Sequence, residues 1–126
     1  MKYLVDTHIF LWWLNSEKRL KTSVIDILKD PDNIIYVSVV SAWEISIKLL
    51  AKSHLRLKTT IEECFQKAGF EILEVKLAHV LQLKKLKDIH NDPFDRMLIA
   101  QAVSEDATLI TGDEKIWKYD VEVLRA

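Results

Sequence analysis

Short apolar runs alternate with longer segments in which apolar residues recur at helical spacing. Tyr3-Leu4-Val5 is the first run, a candidate buried strand. Ile34-Ile35-Tyr36-Val37 is the second, rich in β-branched residues. Residues 70–75, Thr108-Leu109-Ile110-Thr111 and Val121-Glu122-Val123-Leu124 supply a third, a fourth and a possible fifth strand at the edge. Helices are predicted between them. Residues 7–14 continue apolar from the first strand. Thr22 or Ser23 is placed to cap a helix to about residue 29, and Asp30-Pro31-Asp32-Asn33 is a turn cluster. Residues 41–52 read as a helix, with Glu44 in its first turn. Thr59 or Thr60 opens another helix to about residue 68, where Gly69 occupies the C-cap position. Residues 77–86 are helical, with Val80, Leu81, Leu83 and Leu86 apolar. Asp92-Pro93 starts the last helix, with Leu98, Ile99, Ala102 and Val103 as its buried stripe.

Short apolar strands separated by helices predict an α/β fold: a parallel sheet of four or five strands with helices on both faces. In such sheets ligands gather beyond the carboxyl ends of the strands. The residues just after each strand therefore matter most.

Composition narrows the chemistry. The chain has 126 residues, 18 Lys+Arg against 19 Asp+Glu, two glycines and one cysteine. That length suits one domain over residues 1–126. Gly69 and Gly112 leave no glycine-rich phosphate cradle. Cys64 alone excludes an internal disulfide and any multi-cysteine metal site. The start lacks a signal peptide, because Asp6 and His8 interrupt the apolar stretch. The longest apolar run, residues 9–14, is far below the roughly 20 residues that span a bilayer. The expectation is a cytoplasmic protein with no membrane partner. A net charge of −1 gives no general basic surface for nucleic acid. Any such contact would come from local patches around an acidic site.

Asp6, Glu44, Asp95 and Asp113 are all placed at strand ends or helix starts on one edge of the predicted sheet. Crowded carboxylates repel one another unless a cation neutralises them. Oxygen donors suit Mg²⁺ or Mn²⁺. Such an ion activates water and stabilises charge on phosphate, the chemistry of phosphodiester hydrolysis. It also reconciles an acidic pocket with a polyanion. Each acid has a plainer reading. Asp6 would cap the following helix, and Glu44 would make a surface pair with Lys48. Asp95 would sit in a capping box, and Asp113 in a turn. Those readings explain the residue types but not their gathering at one edge. Asp92 is read first as a helix cap and second as a neighbour of the site.

Leu4-Val5-Asp6-Thr7-His8, Ser41-Ala42-Trp43-Glu44-Ile45, residues 90–102 and Leu109-Ile110-Thr111-Gly112-Asp113, in that order, resemble the PIN domain. More closely they resemble VapC-type toxins of bacterial and archaeal toxin–antitoxin systems. The resemblance implies a three-layer α/β/α sandwich. It implies a Mg²⁺- or Mn²⁺-dependent endoribonuclease acting on RNA, a protein antitoxin as partner, and a homodimer. Asp6, Glu44 and Asp95 match the family's three principal acids and Asp113 the less regular fourth. Asp95 is preferred to Asp92 because an apolar residue, Leu98, follows it at the family's spacing. Gly112 departs from the basic or polar residue of many relatives, which points to a looser loop at Asp113.

Thr7, Ser38, Ser41 and Thr111 are hydroxyls beside the acids, suited either to orienting a carboxylate or to capping. Arg96 adjoins Asp95 and is read as a solvated helix residue before a phosphate contact. Lys48, Lys52, His54, Arg56 and Lys58 form one basic stretch, and Lys84, Lys85 and Lys87 another. Both are solvated faces first and RNA tracks second. His8, His54, His79 and His90 show no metal-binding spacing, and His8 and His90 are expected only near the site. Phe10-Leu11-Trp12-Trp13-Leu14 is apolar all round, which fits a buried helix or, with Trp43, a groove for the antitoxin. Two rival functions remain: a catalytically silent PIN-like binding module, and a phosphate-handling signalling domain. The second lacks its acid pair, since His8 stands where a D-x-D nucleophile needs its second Asp.

Overall fold

In the computed structural model, residues 1–15, 17–51 and 57–126 are described. The predicted positions 52, 54 and 56 of the basic stretch lie outside them. Five strands form one parallel sheet: β1 (Lys2–Val5), β2 (Ile34–Ser38), β3 (Glu71–Leu73), β4 (Thr108–Thr111) and β5 (Val123–Arg125), ordered β3-β2-β1-β4-β5. The α-helices are α1 (Thr7–Asn15), α2 (Thr22–Lys29), α3 (Val39–Leu50), α4 (Ile61–Ala68), α5 (Leu77–Gln82) and α6 (Pro93–Ser104).

The pleat sorts the core into two layers, because successive side chains of a strand face opposite sides. Tyr3 and Val5 join Val24, Leu28, Phe10 and Phe65 from α2, α1 and α4. Leu4, between them, joins Leu98, Ile99 and Ala102 of α6. This is the expected three-layer α/β/α sandwich. α3 belongs to both layers: Val40 packs with the α6 side and Ile45 with the α1 side. It thus crosses the carboxyl edge of the sheet and carries Glu44 over it.

The chain runs outward from β1 through β2 to β3, then returns through α6 to β4 on the other side. β1 and β4 therefore flank the switch point, where a crevice opens beyond the strand ends. Asp6 follows β1 there, with its N–H on the Ile110 carbonyl at 3.1 Å.

Several local expectations change. α2 begins at Thr22 with Lys21 as its N-cap and no side-chain cap bond, so neither Thr22 nor Ser23 caps it. α3 begins two residues before Ser41, because Ser38 caps it by accepting the Val40 N–H. Glu44 consequently lies in its second turn. The segment after β3 is α-helical only to Gln82 and then tightens into a 3₁₀ turn. Its Val80 and Leu81 are exposed. Thr60 caps α4 and Gly69 ends it at φ 75°, as expected.

A buried polar chain ties the α6 layer to β2. Ser38 Oγ donates to Gln101 Oε1 at 2.6 Å, and Gln101 Nε2 donates to the Glu74 carbonyl and to His79 Nδ1. His79 Nδ1 also accepts the Lys76 N–H, so its proton sits on Nε2 and is donated to Glu105 at 2.8 Å. That bond and Lys76 hold the Glu105 carboxyl below the usual glutamate range.

Candidate active site

Asp6 is buried, and its Oδ1 accepts the Ile9 N–H at 2.8 Å. The capping role is real, yet the carboxylate also lines a cleft with His8, Trp12, Gly112 and Asp113, of about 270 Å³. Burial pushes its pKa above the usual range. Bonds from Thr111 and Ile9 oppose the shift, and the nearby Glu44 charge adds to it.

Glu44 is not in an ordinary surface pair. Its carboxylate is buried: Oε2 meets Lys48 Nζ at 2.7 Å and Oε1 accepts the Thr7 hydroxyl at 2.7 Å. With Thr7's only proton spent there, the 2.9 Å contact with Ser41 must be donated by Ser41. Ser41 therefore fixes the Thr7 hydroxyl, and Thr7 in turn orients Glu44.

Asp92 caps α6: its Oδ1 accepts the N–H groups of Phe94 and Asp95. That fixes Asp95 in the first turn, with Pro93 at the position that needs no N–H. Burial and then the Asp92 charge push the Asp95 carboxyl up to about 6, against the opposing His90 bond. Asp113 is tied at both ends: its N–H donates to Thr111 Oγ1, and its Oδ1 accepts the Lys115 N–H. Gly112 lies beside the Ala126 carbonyl, and a Cβ there would touch it at 3.4 Å.

His90 was expected only near the site; the structure puts it inside. Its Nε2 lies 2.8 Å from Asp95 Oδ2 and 3.4 Å from Asp113 Oδ2. Among the described residues, His90, Asp95 and Asp113 form the group whose donor atoms, all within 4.8 Å of one another, could close on one metal ion. Asp6 and Glu44 are not in that trio. Asp6 shares the cleft with Asp113, and the Glu44 charge is felt by both Asp6 and Asp95. The missed signal was the loop itself, since His90 stands two residues before the cap that orients Asp95.

Arg96 is likewise not a solvated helix residue. Its Nη1 donates to the Lys87 carbonyl at 2.9 Å and to Tyr119 Oη at 3.2 Å, and Tyr119 accepts the His90 N–H at 2.7 Å. Arg96 and Tyr119 thus clamp the loop that presents His90. Trp43 does not meet the α1 tryptophans. It is 57% exposed and packs edge-on against Phe94 at 4.8 Å.

The sequence matches the PIN domain family over residues 3–122. Three solved structures have a similar fold. VapBC2 from Rickettsia felis, bound to a DNA fragment from its promoter, gives a TM-score of 0.73 at 19% identity, covering 99% of this chain and 98% of that chain. VapBC-1 from nontypeable Haemophilus influenzae gives 0.66 at 17%, covering 99% and 98%. VapBC-5 from Mycobacterium tuberculosis gives 0.60 at 19%, again covering 99% and 98%. No curated protein matches the sequence significantly.

Proposed function

The chain belongs to the PIN domain family, and on that premise we propose that it is a divalent-metal-dependent endoribonuclease, the toxin of a toxin–antitoxin pair. The observation that carries the reading is the convergence of Asp95 and Asp113 beside Asp6, at the switch point of the sheet. The donors fit Mg²⁺ or Mn²⁺, because Asp95, Asp113, Asp6 and Glu44 offer carboxylate oxygens. Asp95 and Asp113 would hold the ion, with Asp6 and Glu44 reaching it directly or through water. When bound, the ion would neutralise the carboxylates, acidify a water and offset charge on the scissile phosphate.

The remaining residues prepare that arrangement. Thr7 and Ser41 hold Glu44 in one rotamer, Thr111 bonds Asp6, and Asp92 fixes the start of α6. RNA would approach across the open side of the cleft past His8 and Trp12. With Asp6, Glu44, Asp95 and Asp113 screened by a cation, basic residues outnumber acidic ones elsewhere on the chain.

The partner assignment is supported by the likeness in fold to VapBC-5, a member of the VapBC family of toxin–antitoxin systems. An antitoxin segment would lie in the apolar groove between α3 and α4, lined by Val39, Ala42, Ile61, Phe65 and Ile72. A homodimer would cover Trp43, Ile47 and Leu50 of α3 with Leu77 and Leu81 of α5, all exposed. The protein would act as one domain over residues 1–126 in the cytoplasm. No helix among the described residues is long and apolar enough to cross a membrane.

The test is cleavage of total RNA by purified protein with Mg²⁺ or Mn²⁺. Asp6→Asn keeps the α1 cap, since Asn caps as well as Asp. It should nonetheless cut at least about a hundredfold more slowly, as should Asp95→Asn. Undiminished cleavage by either variant, or by the wild type in EDTA, would defeat the reading. Mn²⁺ uptake without any cleavage would favour the silent binding module.

A further inference from the structure

We propose that the His90 imidazole is itself a ligand of the ion held by Asp95 and Asp113, and that this nitrogen makes the site prefer Mn²⁺ to Mg²⁺. The inference rests on the metal-centre reading above and adds to it a donor and a metal preference.

The geometry suits ligation. Adjacent ligands of an octahedral ion, each about 2.1 Å from it, lie roughly 3 Å apart. His90 Nε2 stands 2.8 Å and 3.4 Å from one oxygen of each carboxylate. A cation seated among these atoms would part the 2.8 Å His90–Asp95 pair, because Nε2 now points at Asp95 Oδ2, and would take the place of the proton between them.

The presentation of the ring is a second observation, independent of the carboxylates. His90 N–H is anchored on Tyr119 Oη, and Arg96 braces the same hydroxyl together with the Lys87 carbonyl. The side chain of His90 is 12% exposed, so little water competes for the nitrogen. The other described histidines differ. His79 already uses both ring nitrogens within the buried chain, through Lys76 and Glu105. His8 is exposed and leans on Trp12. Of these three, His90 alone has its ring nitrogen aimed between two carboxylates.

The metal preference follows from the donor. Mg²⁺ takes oxygen ligands in strict octahedral geometry and sheds water reluctantly. Imidazole binds first-row transition ions better than it binds Mg²⁺, and Mn²⁺ is the one among them that shares the preference of Mg²⁺ for carboxylate donors. Ligation needs the Nε2 lone pair. The proton that Nε2 now donates to Asp95 must pass to Nδ1 or to solvent as the ion enters.

The experiment is Mn²⁺ titration of the full chain, read by electron spin-echo modulation. The wild type should show coupling of the bound Mn²⁺ to a single ¹⁴N, lost in His90→Gln. In that variant the Mn²⁺ dissociation constant should rise at least about tenfold, and the Mg²⁺ constant less. The wild-type spectrum needs no variant, so a misfolded substitution cannot hide the answer. Mn²⁺ bound through Asp95, as shown by loss in Asp95→Asn, but without nitrogen coupling would overturn the role of His90 and leave the metal centre standing. Equal losses of Mn²⁺ and Mg²⁺ affinity in His90→Gln would overturn the preference. Absence of any Asp95-dependent Mn²⁺ binding would overturn the metal centre, and the inference with it.

Discussion

Asp95 shows what the site costs when no cation is bound. Burial, followed by the Asp92 charge, raises its carboxyl from 3.8 to about 6. Between those values the folded protein binds more protons than the unfolded chain. Stability therefore falls as pH rises from about 4 to about 6, then levels off. In EDTA, Asp95→Asn should flatten this decline, and be more stable than the wild type at pH 7.5 by on the order of 2 kcal/mol. Thermal melts of both proteins across that pH range would check it, and parallel curves would refute it. A variant that gains stability while losing cleavage would mark Asp95 as a residue kept for chemistry. The capping acid Asp92 gives the contrast, since its carboxylate is satisfied by two backbone N–H groups.

At the scale of elements, the acids work only if α3 and α6 hold their places over the strand ends. The chain Ser38–Gln101–His79–Glu105 makes that tie, and Gln101 is its fully buried centre. Removing it would leave the Ser38 hydroxyl without its acceptor in a closed core. A buried orphan of this kind costs about 1–3 kcal/mol, before any cavity is counted. Gln101→Ala should thus lose about 2–4 kcal/mol, seen as a lower urea midpoint with an unchanged slope. The helices themselves were legible in sequence, α2 and α4 through their apolar periodicity and α6 through its Asp-Pro start. The start of α3 was less so. Ser38 is the last residue of β2, and its hydroxyl also caps α3 by accepting the Val40 N–H. α5 misled for a different reason: Val80 and Leu81 follow helical spacing but face outward.

Among the described residues, α3 and α5 both expose large apolar side chains. Trp43, Ile47 and Leu50 repeat on α3, and Leu77 and Leu81 on α5, with both helices packed on α6. A patch of this kind on a monomer marks an interaction surface. Sedimentation at micromolar concentration should find a dimer, and Ile47→Glu with Leu81→Glu should yield a folded monomer. A monomeric wild type would show that another partner covers this face.

By itself the sequence determined the α/β class, the order of strands and helices, and four acids near strand ends or helix starts. Those features are local, written in runs of three to six residues and in cap and turn chemistry. Tertiary structure decided which of the acids meet. Asp95 and Asp113 converge on His90 because β4 lies beside β1 and α6 returns across the switch point. Nothing in the spacing of a lone histidine could reveal that, since its partners are set by a loop clamped from elsewhere in the chain, by Arg96 and Tyr119.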